Sequence, residues 1–127
     1  MYDLTYRPRR LRTSPEMRDL VRATTVDTTD LIYPLFIVPG EGIKKEIDTL
    51  PGQYHLSVDE AVKVAQEAYD LGIRGVEIFG IPTYKDEQGS SAWDMEQPVQ
   101  QAIKAIREVV PNLLVIADVC LCQYTST

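Results

Sequence analysis

Apolar residues fall into three short dense runs, separated by stretches in which they recur at helical intervals. The first run, DLIYPLFIVPG over residues 30–40, is rich in β-formers and stops at Pro39-Gly40, which predicts a buried strand. Pro34 is a blemish in it, because proline cannot donate to a ladder. GVEIFG (75–80) and LLVIADV (113–119) predict two more strands. Between the first and second strands, Ala61, Val64, Ala65, Ala68 and Leu71 mark one face of a helix. Ser57 and Glu60 have capping-box spacing at its start, and Gly72 follows as a terminator. Between the second and third strands, Val99, Ala102, Ile103, Ile106 and Val110 mark another helix, which Pro111 stops. Upstream, Ser14-Pro15-Glu16 combines a capping hydroxyl, a first-turn proline and an acid, so a short helix should run to about Arg22. Residues 41–56 (EGIKKEIDTLPGQYHL) read as a loop with turn chemistry at Pro51-Gly52. Ile81 to Asp94 is polar, turn-rich and long enough to be a working loop.

Strand, helix, strand, helix, strand is the order of βαβ crossovers, and it predicts an α/β fold whose parallel sheet is covered on at least one face. Three architectures share that order. A doubly wound nucleotide binder needs a glycine-rich turn after the first strand, and VPGEGIKKE has neither the G-x-G-x-x-G spacing nor a P-loop lysine-hydroxyl pair. A small complete α/β domain is the second. The third is the first part of a (β/α)8 TIM barrel, of which 127 residues make about half.

Composition narrows the class. Apolar residues make up 44% and charged residues 25% of the chain, which suits a globular domain with one ordinary core. No apolar run approaches the roughly 20 residues that cross a bilayer, and the N-terminus lacks the apolar region of a secretory signal. A cytoplasmic, reducing location is therefore expected, with the two cysteines as free thiols or metal ligands rather than a structural disulfide. Net charge is −6, but the first 22 residues hold six of the eight arginines and carry +3, leaving −9 on the rest. No aromatic stacking platform or recognition motif accompanies this basic tip, so nucleic acid is not the expected partner. An arm that docks on another copy of the chain explains the charge better.

Chemistry gathers at the C-terminal end, in ADVCLCQYTST. Side chains at i and i+2 of a strand share a face. If extended geometry persists past Val119, Asp118, Cys120 and Cys122 project together from a strand's C-terminal end, where parallel α/β folds bind ligands. A carboxylate with two thiols is a plausible zinc site. Against this, C-x-C alone is weak, buried cysteines often act as small hydrophobes, and zinc wants three or four ligands. The only histidine, His55, lies far off in sequence and reads as a surface or capping residue, as Trp93 reads as loop packing.

RPRRLR, LIYPLFIVPGEG, LPGQYHLS, LGIRGVEIFGIP and IADVCLCQYTS stand in the order and at the spacing found in the N-terminal part of the porphobilinogen synthases, also called 5-aminolevulinate dehydratases. The chain resembles this family over essentially its whole length, and D-V-C-L-C-x-Y-T-S is the most specific motif. The resemblance implies a TIM barrel with an N-terminal arm, here residues 1–13, that embraces a neighbour in a homo-oligomer, typically an octamer. The barrel would begin at residue 14 and run incomplete to 127. It implies a lyase that condenses two molecules of 5-aminolevulinate into porphobilinogen with loss of two waters, in tetrapyrrole biosynthesis. In the family's zinc branch a C-x-C-x7-C pattern holds the metal. Cys120 and Cys122 match its first two ligands, and Asp118 matches an active-site acid.

The same resemblance marks what these 127 residues lack. The third cysteine is expected at position 130, Thr127 stands where the family has a histidine, and the two Schiff-base lysines belong to the second half of the barrel. Lys44, Lys45, Lys63, Lys85 and Lys104 match neither and read as surface residues. A Schiff-base lysine must be partly neutral near pH 7, which takes a desolvated pocket or a neighbouring cation. The chain alone is thus expected to be inactive, with exposed sheet edges that favour association. Two rivals stand beside this reading. One is a non-catalytic self-association or assembly module. The other is a small thiol protein using Cys120 and Cys122 in redox exchange.

Overall fold

The computed structural model describes residues 9–127. Residues 1–8, most of the expected arm, lie outside that range. The first described elements are a 3-10 turn over Arg10–Arg12 and helix α1, Pro15–Leu20. Ser14 caps α1 as expected, its hydroxyl accepting from the Met17 N–H at 3.2 Å, although the helix stops two residues before Arg22.

Five strands follow: β1 (Ile32–Ile37), β2 (Lys44–Ile47), β3 (Leu50–Leu56), β4 (Gly75–Gly80) and β5 (Leu114–Ala117). Helix α2 (Val58–Asp70) links β3 to β4, and α3 (Pro98–Val109) links β4 to β5. The strands form one sheet in the order β2-β3-β1-β4-β5. The three predicted strands, β1, β4 and β5, lie side by side in parallel, β5 at the sheet edge, with Leu35 opposite Ile78 and Ile78 opposite Ala117. The barrel is not closed among the described residues.

The expected loop over residues 41–56 is instead a hairpin. β2 runs antiparallel to β3, and β3 joins β1 in parallel at Phe36↔His55 and Ile37↔Leu56. Its turn falls at Asp48-Thr49, and Pro51-Gly52 lies inside β3. The apolar pattern hid these strands because β2 is an edge strand with charged, exposed residues on both faces. Such a strand has no buried face to write an alternation.

The same hairpin accounts for Pro34. Alternation along β1, with Val38 donating to Leu56 of β3 and the Ile37 carbonyl accepting from Ile81 beyond β4, turns even-numbered residues toward β3. The β1–β3 ladder covers only Phe36 and Ile37, so the missing N–H of Pro34 faces a stretch with no ladder partner.

Ser57 also departs from expectation. It precedes α2, but its hydroxyl makes no cap bond to the helix. That buried hydroxyl accepts from the Ile43 N–H at 2.9 Å and donates to Asp59 at 2.6 Å, tying the hairpin to the helix start. Glu60 pairs with Lys63 instead of closing a capping box. At the other end, Gly72 adopts φ +98° and closes the helix as predicted.

The core lies between the sheet and the two helices. Leu35, Ile37, Val76 and Ile78 meet Ala61 and Ala65 of α2 and Val99, Ala102 and Ile106 of α3. The small side chains let α3 approach so closely that a Cβ on Gly80 would stand 2.2 Å from Val99 Cγ2. By alternation the opposite face carries Ile32, Pro34, Phe36, Glu77, Phe79, Leu114 and Ile116. No helix among the described residues covers this face, and Ile32 and Leu114 are 55% and 67% exposed.

Candidate active site

Asp118 is the first residue after β5 and stands half-buried at that strand's C-terminal end. The chain then turns. The N–H groups of Tyr124 and Thr125 both donate to the Leu121 carbonyl, at 2.9 and 3.0 Å, wrapping a turn around Cys122 and Gln123. Extended geometry therefore does not persist through Cys122. The turn folds Cys122 back on Cys120, and their sulfurs lie 2.6 Å apart. Cys120 is half-buried and Cys122 exposed, and both are free.

The three side chains do not form the joint carboxylate-thiol cluster that an extended strand would give. Among the described residues no three His, Cys, Asp or Glu side chains are grouped to hold a metal. Asp118 acts on its neighbours through charge. The Cys122 thiol is pushed up from its usual 9.0, first by its hydrogen bond with Cys120, then by partial burial and the negative charge of Asp118. Tyr124 is pushed up from 10.0 by burial and by the same carboxylate. Thiols are the donor type zinc prefers, but zinc takes three or four ligands. Cys120 and Cys122 fit two positions of such a site and leave it short of at least one donor.

The expected working loop after β4 packs against this turn. It is held by two aspartates. The Asp86 carboxylate accepts from the N–H groups of Gln88 and Ser90 at 3.0 and 2.9 Å and from the Ser90 hydroxyl, which keeps it below the usual 3.8. Asp94 accepts from Glu96 N–H, the Gln97 side chain and the Tyr84 hydroxyl, and is lowered likewise. Trp93 stands 64% exposed on this loop, so it does not pack as the sequence suggested. His55 sits in β3, away from the thiols, and all five lysines are exposed. Gln123 and Asp86, which tie turn and loop together, carried no signal in the sequence beyond the turn-forming D-x-x-G-S around Asp86.

The family described as delta-aminolevulinic acid dehydratase matches residues 5–127. The chain is 54% identical over 121 residues to the delta-aminolevulinic acid dehydratase of Synechococcus elongatus, covering 95% of this chain and 37% of that protein. It is 48% identical over 120 residues to the enzyme of Ruminiclostridium josui, covering 94% of this chain and 58% of that one. A crystal structure of porphobilinogen synthase from Toxoplasma gondii, in complex with the reaction product porphobilinogen, superimposes with a TM-score of 0.88 at 33% identity, over 97% of this chain and 35% of that chain. The chain thus spans 37% to 58% of the length of these curated relatives. On sequence and fold together, the chain belongs to the delta-aminolevulinic acid dehydratase (porphobilinogen synthase) family.

Proposed function

We propose that this chain supplies the first strands of a porphobilinogen synthase barrel and two thiol ligands of its metal. The reaction is the condensation of two molecules of 5-aminolevulinate to porphobilinogen with loss of two waters. The observation that carries the reading is the thiol pair, 2.6 Å apart, beyond the C-terminal end of a parallel strand and two residues after Asp118. That end is where barrel enzymes place their chemistry.

In this reading the metal is zinc, held by Cys120 and Cys122 with a donor from outside the described residues. When bound it supplies a Lewis acid for a substrate oxygen. The chain's own residues set the surroundings. Asp118 is an active-site acid whose charge opposes ionisation of Cys122 and Tyr124 until a cation offsets it. The open face, with Phe36, Phe79 and Ile116, forms one wall of the barrel interior. Residues 1–13 serve as the arm of a homo-oligomer, in keeping with their arginines. A cytoplasmic location belongs to the same reading; no helix among the described residues is long and apolar enough to cross a membrane.

None of the five lysines is desolvated, so the 127 residues alone lack the Schiff-base nucleophile that the reaction needs. The purified chain with 5-aminolevulinate and Zn2+ is expected to form no porphobilinogen while binding Cd2+ with a thiolate charge-transfer band. Sustained product formation, or no thiolate band, overturns the reading. The exposed Ile32 and Leu114 favour a second reading, a module that self-associates through its uncovered face. Light scattering showing a strict monomer at all concentrations excludes it.

A further inference from the structure

We infer that Gln123 is a positioning residue for the thiol pair, acting through the end of β4. The inference rests on the proposed role of Cys120 and Cys122, but its geometry stands apart from any metal. β5 is an edge strand and ends at Ala117. Residues 118–127 therefore have no further strand beside them among the described residues, and the loop after β4 is what they lean on.

Three attachments fix them there. The Gln123 side-chain carbonyl accepts from the Gly80 N–H at 3.1 Å, joining residues 43 apart in sequence. The Ser126 N–H donates to the Asp86 carbonyl at 3.0 Å, and Thr125 pairs with Asp86 as a parallel bridge. Tyr124, only 5% exposed, packs with Thr125 over Gly89. Gly89 sits at φ +65°, which favours glycine, and a Cβ there would press on Thr125 Cγ2 at 3.3 Å.

Gln123 makes the one side-chain hydrogen bond among the three, and it follows Cys122 directly. Gly80 is the last residue of β4, a strand locked in the sheet centre between β1 and β5. The hydrogen bond therefore transmits the rigidity of the sheet to the residue beside the second thiol. Without it, the turn around Cys122 is held only on its far side, at Ser126 and Tyr124. The Gln123 backbone lies within hydrogen-bond reach of the Cys122 thiol, but its side chain is bonded to Gly80 and acts by placing the turn.

The test reads thiol proximity without metal. With limiting 5,5′-dithiobis(2-nitrobenzoate), one cysteine thiolate attacks the reagent disulfide, forming a mixed disulfide and releasing one thionitrobenzoate. The second cysteine thiolate then attacks the protein-bound sulfur, closing a Cys120–Cys122 disulfide and releasing the second thionitrobenzoate. The rate of this second release reports how well the pair is placed. Gln123→Ala is expected to slow it about five- to tenfold, the effect of one net hydrogen bond. Gln123→Glu keeps the acceptor and is expected to come within about twofold of the parent rate. Gly89→Val, which crowds Thr125 from the other side, is expected to slow closure as well. Closure in Gln123→Ala at the parent rate, or a Gln123→Glu variant as slow as Gln123→Ala, overturns the inference. A parent chain that shows this Gln123 dependence yet gives no Cd2+ thiolate band overturns the metal reading and supports the positioning role.

Discussion

The rings of Phe36 and Phe79 stack with centroids 5.8 Å apart and planes 23° from parallel, on the sheet face opposite the helices. Both rings are half-buried although no second layer among the described residues lies over them. A stacked pair of this kind contributes about 0.5–1.5 kcal/mol beyond its area, but its outer surfaces stay wet. Phe79→Lys is therefore expected to reduce self-association of the chain more than it reduces stability. Sedimentation across a concentration series checks this: the variant should move toward monomer, and an unchanged distribution would show that this face is not where copies meet.

Gly80 and Val99 make a second close pair, at the point where α3 crosses the end of β4. A methyl group at 80 has no room, because its nearest neighbour would be a branched side chain 2.2 Å away. Gly80→Ala should destabilise the chain by about 1–3 kcal/mol in urea unfolding, the range for overpacking a dense core. Val99→Ala removes the clashing methyl and leaves a small cavity of its own. The double variant should be more stable than the sum of the two losses, and strict additivity would mean that the helix shifts to make room.

Ser57 gives a third test, because its buried hydroxyl joins three elements. It accepts from Ile43, donates to Asp59, and stands where β3 passes into α2. Ser57→Ala leaves the Ile43 N–H without its side-chain acceptor and should cost about 1–3 kcal/mol. Hydrogen exchange locates the effect: the Ile43 amide should lose protection while the centre of β4 keeps it. A uniform loss across the sheet would instead mark Ser57 as a core residue without local meaning.

The sequence and the structure agree where burial writes a pattern. β1, β4, α2 and α3 each bury one face or both, β5 half-buries Val115 against the core, and Leu35, Val76, Ala65 and Ile106 stand at the spacing that those faces demand. The hairpin β2–β3 was illegible because Lys44, Lys45 and Glu46 face water and their order comes from ladder bonds rather than side chains. At the site, Cys120, Cys122 and Asp118 were legible as chemistry from residue type and motif. Their arrangement was not, since i, i+2 alternation holds only while the backbone stays extended, and the Leu121 carbonyl captures two N–H groups and ends it. The contacts of Gln123 with Gly80 and of Ser126 with Asp86 span some 40 residues, so no local pattern carries them.

Cys122 allows a prediction with a definite sign. Its thiol is raised above 9.0, and the leading cause is the hydrogen bond with Cys120. Cys120→Ser replaces a thiol neighbour by a smaller hydroxyl that reaches less far, so the leading cause weakens. The midpoint of the pH–rate profile for Cys122 alkylation by iodoacetamide should therefore fall in Cys120→Ser, and fall further when Asp118→Asn also removes the negative charge. A midpoint that stays put in both variants would show that burial, not the Cys120 contact, sets the acidity of Cys122.

Asp86 supplies the pH dependence of the loop that supports the thiols. Its carboxyl is held below 3.8 in the folded chain, chiefly by the Ser90 hydroxyl and then by the Ser90 N–H. A group whose pKa is depressed on folding contributes stability that is fully present above its unfolded value and is lost as pH falls through the folded one. The loop should thus be at full strength at pH 5 and above, and should loosen only on acidification from about 4 downward. Ser126 reports it, since its N–H donates to the Asp86 carbonyl. Tracked by NMR, the Ser126 amide shift should move together with the amides of Gln88 and Ser90 as pH falls through this window. Asp86→Asn keeps an acceptor but cannot titrate, so the three amides should then show no common transition there. A common transition that survives in Asp86→Asn would assign the acid sensitivity of the loop to another carboxylate, Asp94 being the nearest in kind.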